Sequence, residues 1–321
     1  MSQIIVGIDI GGTTIKAALL HTNGDILEKT HIPTAVSKGE DGVIEDIHNV
    51  INQLLAHVGA DKAQVAGIGI GVPGPVQSDT GVVAEAVNLG WKNTPLKEKL
   101  EKRTGVPVFV DNDANNAALG EMWRGSGQGA SNLVVVTLGT GVGGGVIING
   151  EIVHGENGVG GEIGHIAIEP LRGPGCNCGK KGCLETLTSA TAIIREGVAI
   201  ATDGSSPRLA EVYASKGKLT AKDVFDAAMD GDPAAIGVVD KAAFYLGWGL
   251  SHLANILNPA KIVIGGGVSA AGPFLFDRIQ ESFDKFTWAP AASACTILPA
   301  SLGNDAGVIG AGWLVVSRLG R

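Results

Sequence analysis

Cys176, Cys178 and Cys183 stand in a C-x-C-x4-C pattern inside the segment Gly161–Glu185, with His165 just upstream. Thiolates and imidazole are the donors that tetrahedral zinc prefers, and four protein ligands close a structural site. Gly173, Pro174, Gly175, Gly179 and Gly182 let the backbone double back tightly enough to gather the sulfurs. A disulfide with one stray thiol, or a set of small buried hydrophobes, is the competing reading. The spacing with its upstream His favours metal. Glu162 and Glu185 bracket the same loop. A zinc knot would hold both carboxylates at set positions, as a ligand rich in hydroxyl groups requires, because each OH is a donor to be met at a defined angle. Ordinary solvated acids are the plain alternative.

Three glycine turns offer the converging N–H groups that phosphate oxygens seek. They are Gly11-Gly12-Thr13-Thr14 with Lys16 beyond it, Gly139-Thr140-Gly141 with Gly143 and Gly144, and Gly265-Gly266-Gly267. No Walker A is present, because neither Gly179-Lys180 nor Gly217-Lys218 is followed by Ser or Thr. Gly139-x-Gly141-x-x-Gly144 matches the dinucleotide pattern, but it runs into the strand-like VIING rather than a helix, so that fingerprint fails in context. Taken singly, each turn is equally a plain tight turn. Asp9, beside the first turn, can hold Mg²⁺ directly or through water, or bond to its own backbone. Two readings also stand for Asp113 in Asn112-Asp113-Ala114-Asn115. It can cap the helix that follows, or act as a general base on a hydroxyl that Asn112 orients.

These residues need elements to position them. Ile4–Ile10, Ala17–Leu20 and Asp25–Ile32 read as an antiparallel meander, with Asn23-Gly24 as a hairpin signal. Val43, Ile47, Val50, Ile51, Leu54, Leu55 and Val58 recur at helical spacing, and Gly59 stops them. Strands are expected at Val65–Val72, leading into Pro73-Gly74-Pro75, and at Val106–Val110, then a helix from about Ala114 to Arg124. At Leu133 the pattern restarts. VVVTLGTGVGGGVIINGEIV lays over VGIDIGGTTIKAALLHTNGDIL with a two-residue gap, which points to a duplicated domain. Helices are expected from Ser189 to about Gly204, from Thr220, over Val238–Leu257 and over Pro273–Phe286, with a strand at Lys261–Ile264. The tail Asp305–Trp313 reads as a final helix with a small-residue face. Residues 1–117 with 305–321 form the expected smaller α/β domain, and 118–304 the larger one with the zinc loop. No linker rich in Pro or charge separates the two.

At 321 residues with 45% hydrophobic content, the chain can bury a large core in two domains. The 49 glycines cluster at the ends of apolar segments, where turns bring backbone close to ligand. A net charge of -8 leaves no basic footprint for nucleic acid or anionic membrane. No apolar run suffices to span a bilayer and the N-terminus has no signal-peptide pattern, so a cytoplasmic protein is expected. Few cysteines fit a reducing compartment.

The segments DIGGTTIK, GVPGP, VDNDAN, LGTGVGGG, GEIGH, CNCGKKGCLET, IGGGV and DAGVIGAG together resemble the ROK family of bacterial sugar kinases, most closely its glucokinase branch. The resemblance covers essentially the whole chain, and the Cys-rich segment is its most specific part. It implies the actin-like ATPase fold, in which two α/β domains built on ribonuclease-H-like sheets close on a central cleft. It also implies ATP-dependent phosphorylation of the 6-hydroxyl of glucose, with N-acetylglucosamine, N-acetylmannosamine or fructose as alternative acceptors. On that resemblance Asp113 is the catalytic base. Gly74, Asn88, Asn112, Asp113, Glu162, His165 and Glu185 meet the sugar, and the three glycine turns with Lys16 meet ATP. Asp9 serves Mg²⁺, while His165, Cys176, Cys178 and Cys183 hold structural zinc. His165 would bind zinc through one ring nitrogen and a sugar hydroxyl through the other. A homodimer or homotetramer is implied too. ROK repressors share the sugar and zinc residues but need a helix-turn-helix ahead of the first strand. The DIGG motif at residue 9 is expected to leave no room for it.

Overall fold

The computed structural model describes residues 3–319. The first half runs β1 (Ile4–Ile10), β2 (Thr14–His21), β3 (Ile26–Pro33), α1 (Gly39–His57), β4 (Val65–Val72), β5 (Val76–Gln77), β6 (Val82–Ala86), β7 (Trp91–Thr94), α2 (Leu96–Thr104), β8 (Val108–Asn112) and α3 (Asp113–Arg124). The second runs β9 (Leu133–Leu138), β10 (Val142–Ile148), β11 (Glu151–Ile152), α4 (Glu185–Thr188), α5 (Ala190–Thr202), α6 (Pro207–Lys216), α7 (Ala221–Met229), α8 (Pro233–Leu257), β12 (Lys261–Gly265), α9 (Pro273–Phe286), α10 (Ala289–Ala294), β13 (Thr296–Pro299) and α11 (Ala306–Leu319).

Two five-stranded sheets have the orders β3-β2-β1-β4-β8 and β11-β10-β9-β12-β13. The orders superpose strand for strand: an antiparallel meander, then two strands added in parallel. The internal repeat is therefore a repeat of topology, and the fold is the duplicated actin-like ATPase arrangement. Asn149-Gly150, with φ of 53° and 81°, turns β10 into β11 in two residues, as the primed hairpin turns require.

Local chemistry sets the helix starts. The Asn112 side chain caps α3, Ser189 caps α5, and Thr220 with Asp223 forms a capping box on α7. Asp232 caps α8 and Pro233 takes its first position, so this helix begins five residues before the expected Val238. The α6 helix and the small sheet β5-β6-β7 carry no strong periodic signal and were not expected.

The chain divides into two compact units. One runs up to Ser131 and includes Gly145–Gly161 and the chain from Ser301 onward; the other comprises Asn132–Gly144 and Glu162–Ala300. The first thus reaches past the boundary expected near residue 117, because α3 packs along α11. Buried Glu121 of α3 fastens that return, accepting from the N–H groups of Ser301 and Leu302 (3.1 and 2.9 Å) and of Ser126 (2.9 Å). Within this unit Ile4, Val6, Ile8 and Ile10 of β1 join the core with Val43, Ile47, Val50 and Ile51 of α1, as their spacing requires. Ile5, on the opposite face, packs with Val308, Ile309 and Val315 of α11. A β-carbon at Gly7 or Gly69 would lie 2.0 or 1.7 Å from the carbonyl oxygens of Val308 and Ala311, so these glycines let α11 lie directly on the sheet.

Candidate functional site

In the first unit, the row of paired residues Asp9, Gly71 and Asp111 crosses the ends of the parallel strands β1, β4 and β8. Ligands of open α/β sheets gather at such strand ends. Lys16 pairs with Asp9 across the β1–β2 ladder, and its Nζ lies 3.2 Å from Asp9 Oδ2. The turn between them is closed by Gly11 N–H donating to the Thr14 carbonyl (2.9 Å) and braced by Thr34, which donates to Gly11 and Thr13 carbonyls. A β-carbon on Gly12 would sit 3.2 Å from Asn88 Cβ, so Asn88 lies against the turn. A β-carbon on Gly307, at the start of α11, would lie 2.8 Å from Asp9 Cγ. The structure thus gathers Asp9, Gly11, Gly12, Thr13, Thr14, Lys16 and Asn88, and adds Gly307.

The β8–α3 turn decides how Asn112 and Asp113 divide their work. Asn112 Oδ1 accepts from the N–H groups of Ala114 and Asn115 (2.8 and 3.2 Å), and its Nδ2 donates to the Gly74 carbonyl (3.2 Å). Asn112 is the cap. Asp113 opens the helix half-buried, with Oδ1 accepting from Ala114 N–H at 2.8 Å. Gly74 has φ +91° and closes on the Glu85 carbonyl, leaving no room for a side chain.

In the second unit, the donor atoms of His165, Cys176, Cys178 and Cys183 all lie within 4.8 Å of one another. Tetrahedral zinc, at about 2.3 Å from sulfur and about 2.0 Å from nitrogen, sets donors roughly 3.5–3.8 Å apart. Cys178 and Cys183 Sγ are 3.6 Å apart, as are Cys176 Sγ and His165 Nδ1. The residues fit the metal. Backbone bonds Cys176 N–H to Lys180 O (2.8 Å) and Gly182 N–H to Pro174 O (2.8 Å) close the knot, and Leu184 N–H to Ile166 O ties its exit beside His165. Burial, then the Glu185 carboxylate, push the Cys176 thiol well above its ordinary range. The Lys180 N–H and Cys176 pull Cys178 down, while burial and Cys178 push Cys183 up.

Glu185 joins two features of this unit. Its Oε1 accepts from the Cys176 thiol at 2.9 Å and lies 3.8 Å from His165 Nδ1. A β-carbon on Gly141 would lie 2.7 Å from its Oε2. The expected hydroxyl acceptor therefore stands over the Gly139–Gly141 turn as well as beside the knot. Ala190 N–H and the Thr191 hydroxyl hold that turn through the Gly139 and Thr140 carbonyls (2.9 and 2.7 Å). His165 turns Nδ1 to the sulfurs and Nε2 toward Glu162 Oε2, 4.0 Å away. Gly143 and Gly144 lie within β10, away from the tip of the turn. Gly266, at φ +87° against the backbone of Leu138, makes the sharp exit from β12 between Gly265 and Gly267.

Sequence reading missed Gly307 and a second ion pair. His154 Nε2 lies 2.7 Å from Oδ2 of the buried Asp111. The small-residue face of the tail was the one available signal for Gly307, and nothing in the sequence pairs His154 with Asp111.

A family model described as ROK family matches residues 5–318. A curated protein named glucokinase from Halalkalibacterium halodurans is 52% identical over 97% of this chain and 94% of its own length. A solved ROK family glucokinase from Streptomyces griseus, in complex with glucose and AMPPNP, is 36% identical with a TM-score of 0.79, covering 97% of this chain and 98% of that one. A ROK hexokinase from Thermus thermophilus is 33% identical, with a TM-score of 0.84 and 99% of each chain covered.

Proposed function

The chain belongs to the ROK family, and from that premise we propose that it is an ATP-dependent glucokinase, moving the γ-phosphoryl group of ATP to the 6-hydroxyl of glucose. The observation that carries the reading is Glu185, a hydroxyl-accepting carboxylate set against both a phosphate-type turn and the His/Cys knot. Phosphoryl transfer asks the protein mainly for positioning and charge stabilisation. Asp113 takes the proton of the 6-hydroxyl as its oxygen attacks phosphorus, and the Ala114 N–H steadies its carboxylate. Asn112, with Gly74 beside it, orients that hydroxyl, while Glu162, His165 and Glu185 meet the others, and Asn88 contributes from the first turn. Gly11–Thr14, Lys16 and Gly139–Gly141 with Gly143 and Gly144 bind phosphates, and Gly265–Gly267 bind the nucleoside. The Mg²⁺ that accompanies ATP neutralises charge at the phosphates, and Asp9 is the carboxylate that would hold it, directly or through water. Zinc on three thiolates and an imidazole is structural, because that set leaves no open position. The same reading carries a cytoplasmic homodimer or homotetramer; no described helix is long and apolar enough to cross a membrane.

A coupled ADP-release assay over glucose, fructose, N-acetylglucosamine and N-acetylmannosamine tests this. Glucose is expected to give the highest kcat/KM, with one sugar phosphate per ADP. ADP release indifferent to every sugar, or a preference for an N-acetyl hexosamine, overturns it.

A further inference from the structure

Asp111 has no part in the reaction as described, yet it is almost completely buried and three donors converge on it. Its Oδ1 accepts from Asn112 N–H (2.7 Å) and Asn115 Nδ2–H (2.9 Å), and its Oδ2 faces His154 Nε2 at 2.7 Å. Asn112 is thereby fixed at its N–H by Asp111, at its side-chain oxygen by the first turn of α3, and at its amide by Gly74. The bearing of the neighbouring Asp113 follows from that frame. His154 is anchored in turn: its carbonyl accepts from Gly160 N–H at 2.7 Å, and Gly160 has no room for a side chain.

We propose that His154 is a positioning residue for phosphoryl transfer, locking the β8–α3 turn through Asp111 so that Asp113 is held where it removes the hydroxyl proton. The inference rests on the glucokinase reading and on Asp113 as base. A buried carboxylate held by fixed donors at both oxygens resists rotation, so the turn inherits its rigidity. A base displaced by an ångström costs far more in kcat than in substrate binding.

The lock is pH-dependent. The charged groups that line the same hollow as His154 are Asp111 on β8, Asp79 in the β5–β6 turn, Arg318 on α11 and Glu151 on β11. The bond to Asp111 raises the His154 pKa; burial opposes it, the Asp111 charge adds to it, Arg318 lowers it and Asp79 raises it, for a net upward shift. A raised folded value makes the charged pair complete below the free-histidine value of about 6.5 and weaker as pH rises through the folded value. The neutral ring still donates to Asp111, so the lock loosens on the alkaline side without opening.

The test measures kcat, glucose KM and the pH profile of kcat for the wild type, His154→Ala, His154→Gln and Asp113→Asn. His154→Ala is expected to lower kcat about tenfold with glucose KM changed by less than about twofold. His154→Gln, which keeps a donor that does not titrate, is expected to recover most of kcat and to lose part of the wild-type alkaline decline. Wild-type kcat and pH profile in His154→Ala overturn the inference, as does a loss that His154→Gln leaves unrepaired. If His154→Ala does not fold, an alkaline limb in His154→Gln identical to the wild type overturns it alone. Turnover in Asp113→Asn overturns the base assignment instead; an inactive Asp113→Asn beside an unaffected His154→Ala removes only the present inference.

Discussion

The β1–β2 and β9–β10 turns occupy matching places in the two sheets, and they differ in what stands over them. Both close on a glycine N–H, Gly11 to Thr14 O at 2.9 Å and Gly139 to Gly141 O at 3.0 Å. Over the first stand an ion pair, Asp9–Lys16, and the amide residue Asn88. Over the second stands Glu185, whose other oxygen meets Cys176 in the His/Cys knot. Backbone N–H groups bind phosphate whatever the side chains are, so a duplicated turn repeats that property at once. Side-chain chemistry is not repeated by duplication. One copy carries a carboxylate–ammonium pair, the other a carboxylate tied to a zinc-type knot.

If the turns grip and do no proton transfer, removing the base must spare them both. Asp113→Ala is expected to lower kcat by roughly 10²-fold or more while glucose affinity stays within about threefold, measured by steady-state kinetics beside titration calorimetry. Near-normal turnover would place the base elsewhere. The second copy is the more fragile of the two turns. Gly141→Ala would drive a methyl group against Glu185 Oε2, and glucose KM is expected to rise about tenfold, the worth of one hydrogen bond to a charged acceptor. An unchanged glucose KM would uncouple that turn from sugar binding. Gly12→Ala meets only the Asn88 side chain, nearest at Cβ, 3.2 Å away, and a change of about twofold in ATP KM is expected. An effect larger than that of Gly141→Ala would reverse the comparison.

Much of this was legible in the residues. The meander and its repeat showed because strand, glycine turn, strand and Asn-Gly recur in the same order with a gap of two residues, and the orders of the two sheets agree. The zinc-type cluster showed because all four donors lie in one short loop, where chain closure alone gathers them. Capping was less legible. Asn112 and Asp113 both suit a helix start, and only the bonds to Ala114 and Asn115 make Asn112 the cap. The start of α8 was missed because Asp232-Pro233 is a signal of chemistry rather than of periodicity. The His154–Asp111 pair joins residues far apart in the chain, and Gly307 faces Asp9 through helix-on-sheet packing, so local pattern carries neither.

On the glucokinase reading, the knot serves to place His165 and Glu185 for the sugar. Glu185 is tied to the knot through Oε1, 2.9 Å from the Cys176 sulfur, so what orders the knot also orders the carboxylate proposed to meet a glucose hydroxyl. Calorimetric titration of glucose into the zinc-loaded protein, the chelated protein and the chelated protein resupplied with zinc tests this directly. Affinity is expected to fall at least about tenfold on chelation and to return with zinc. An identical Kd in protein shown by elemental analysis to be free of zinc would contradict the account.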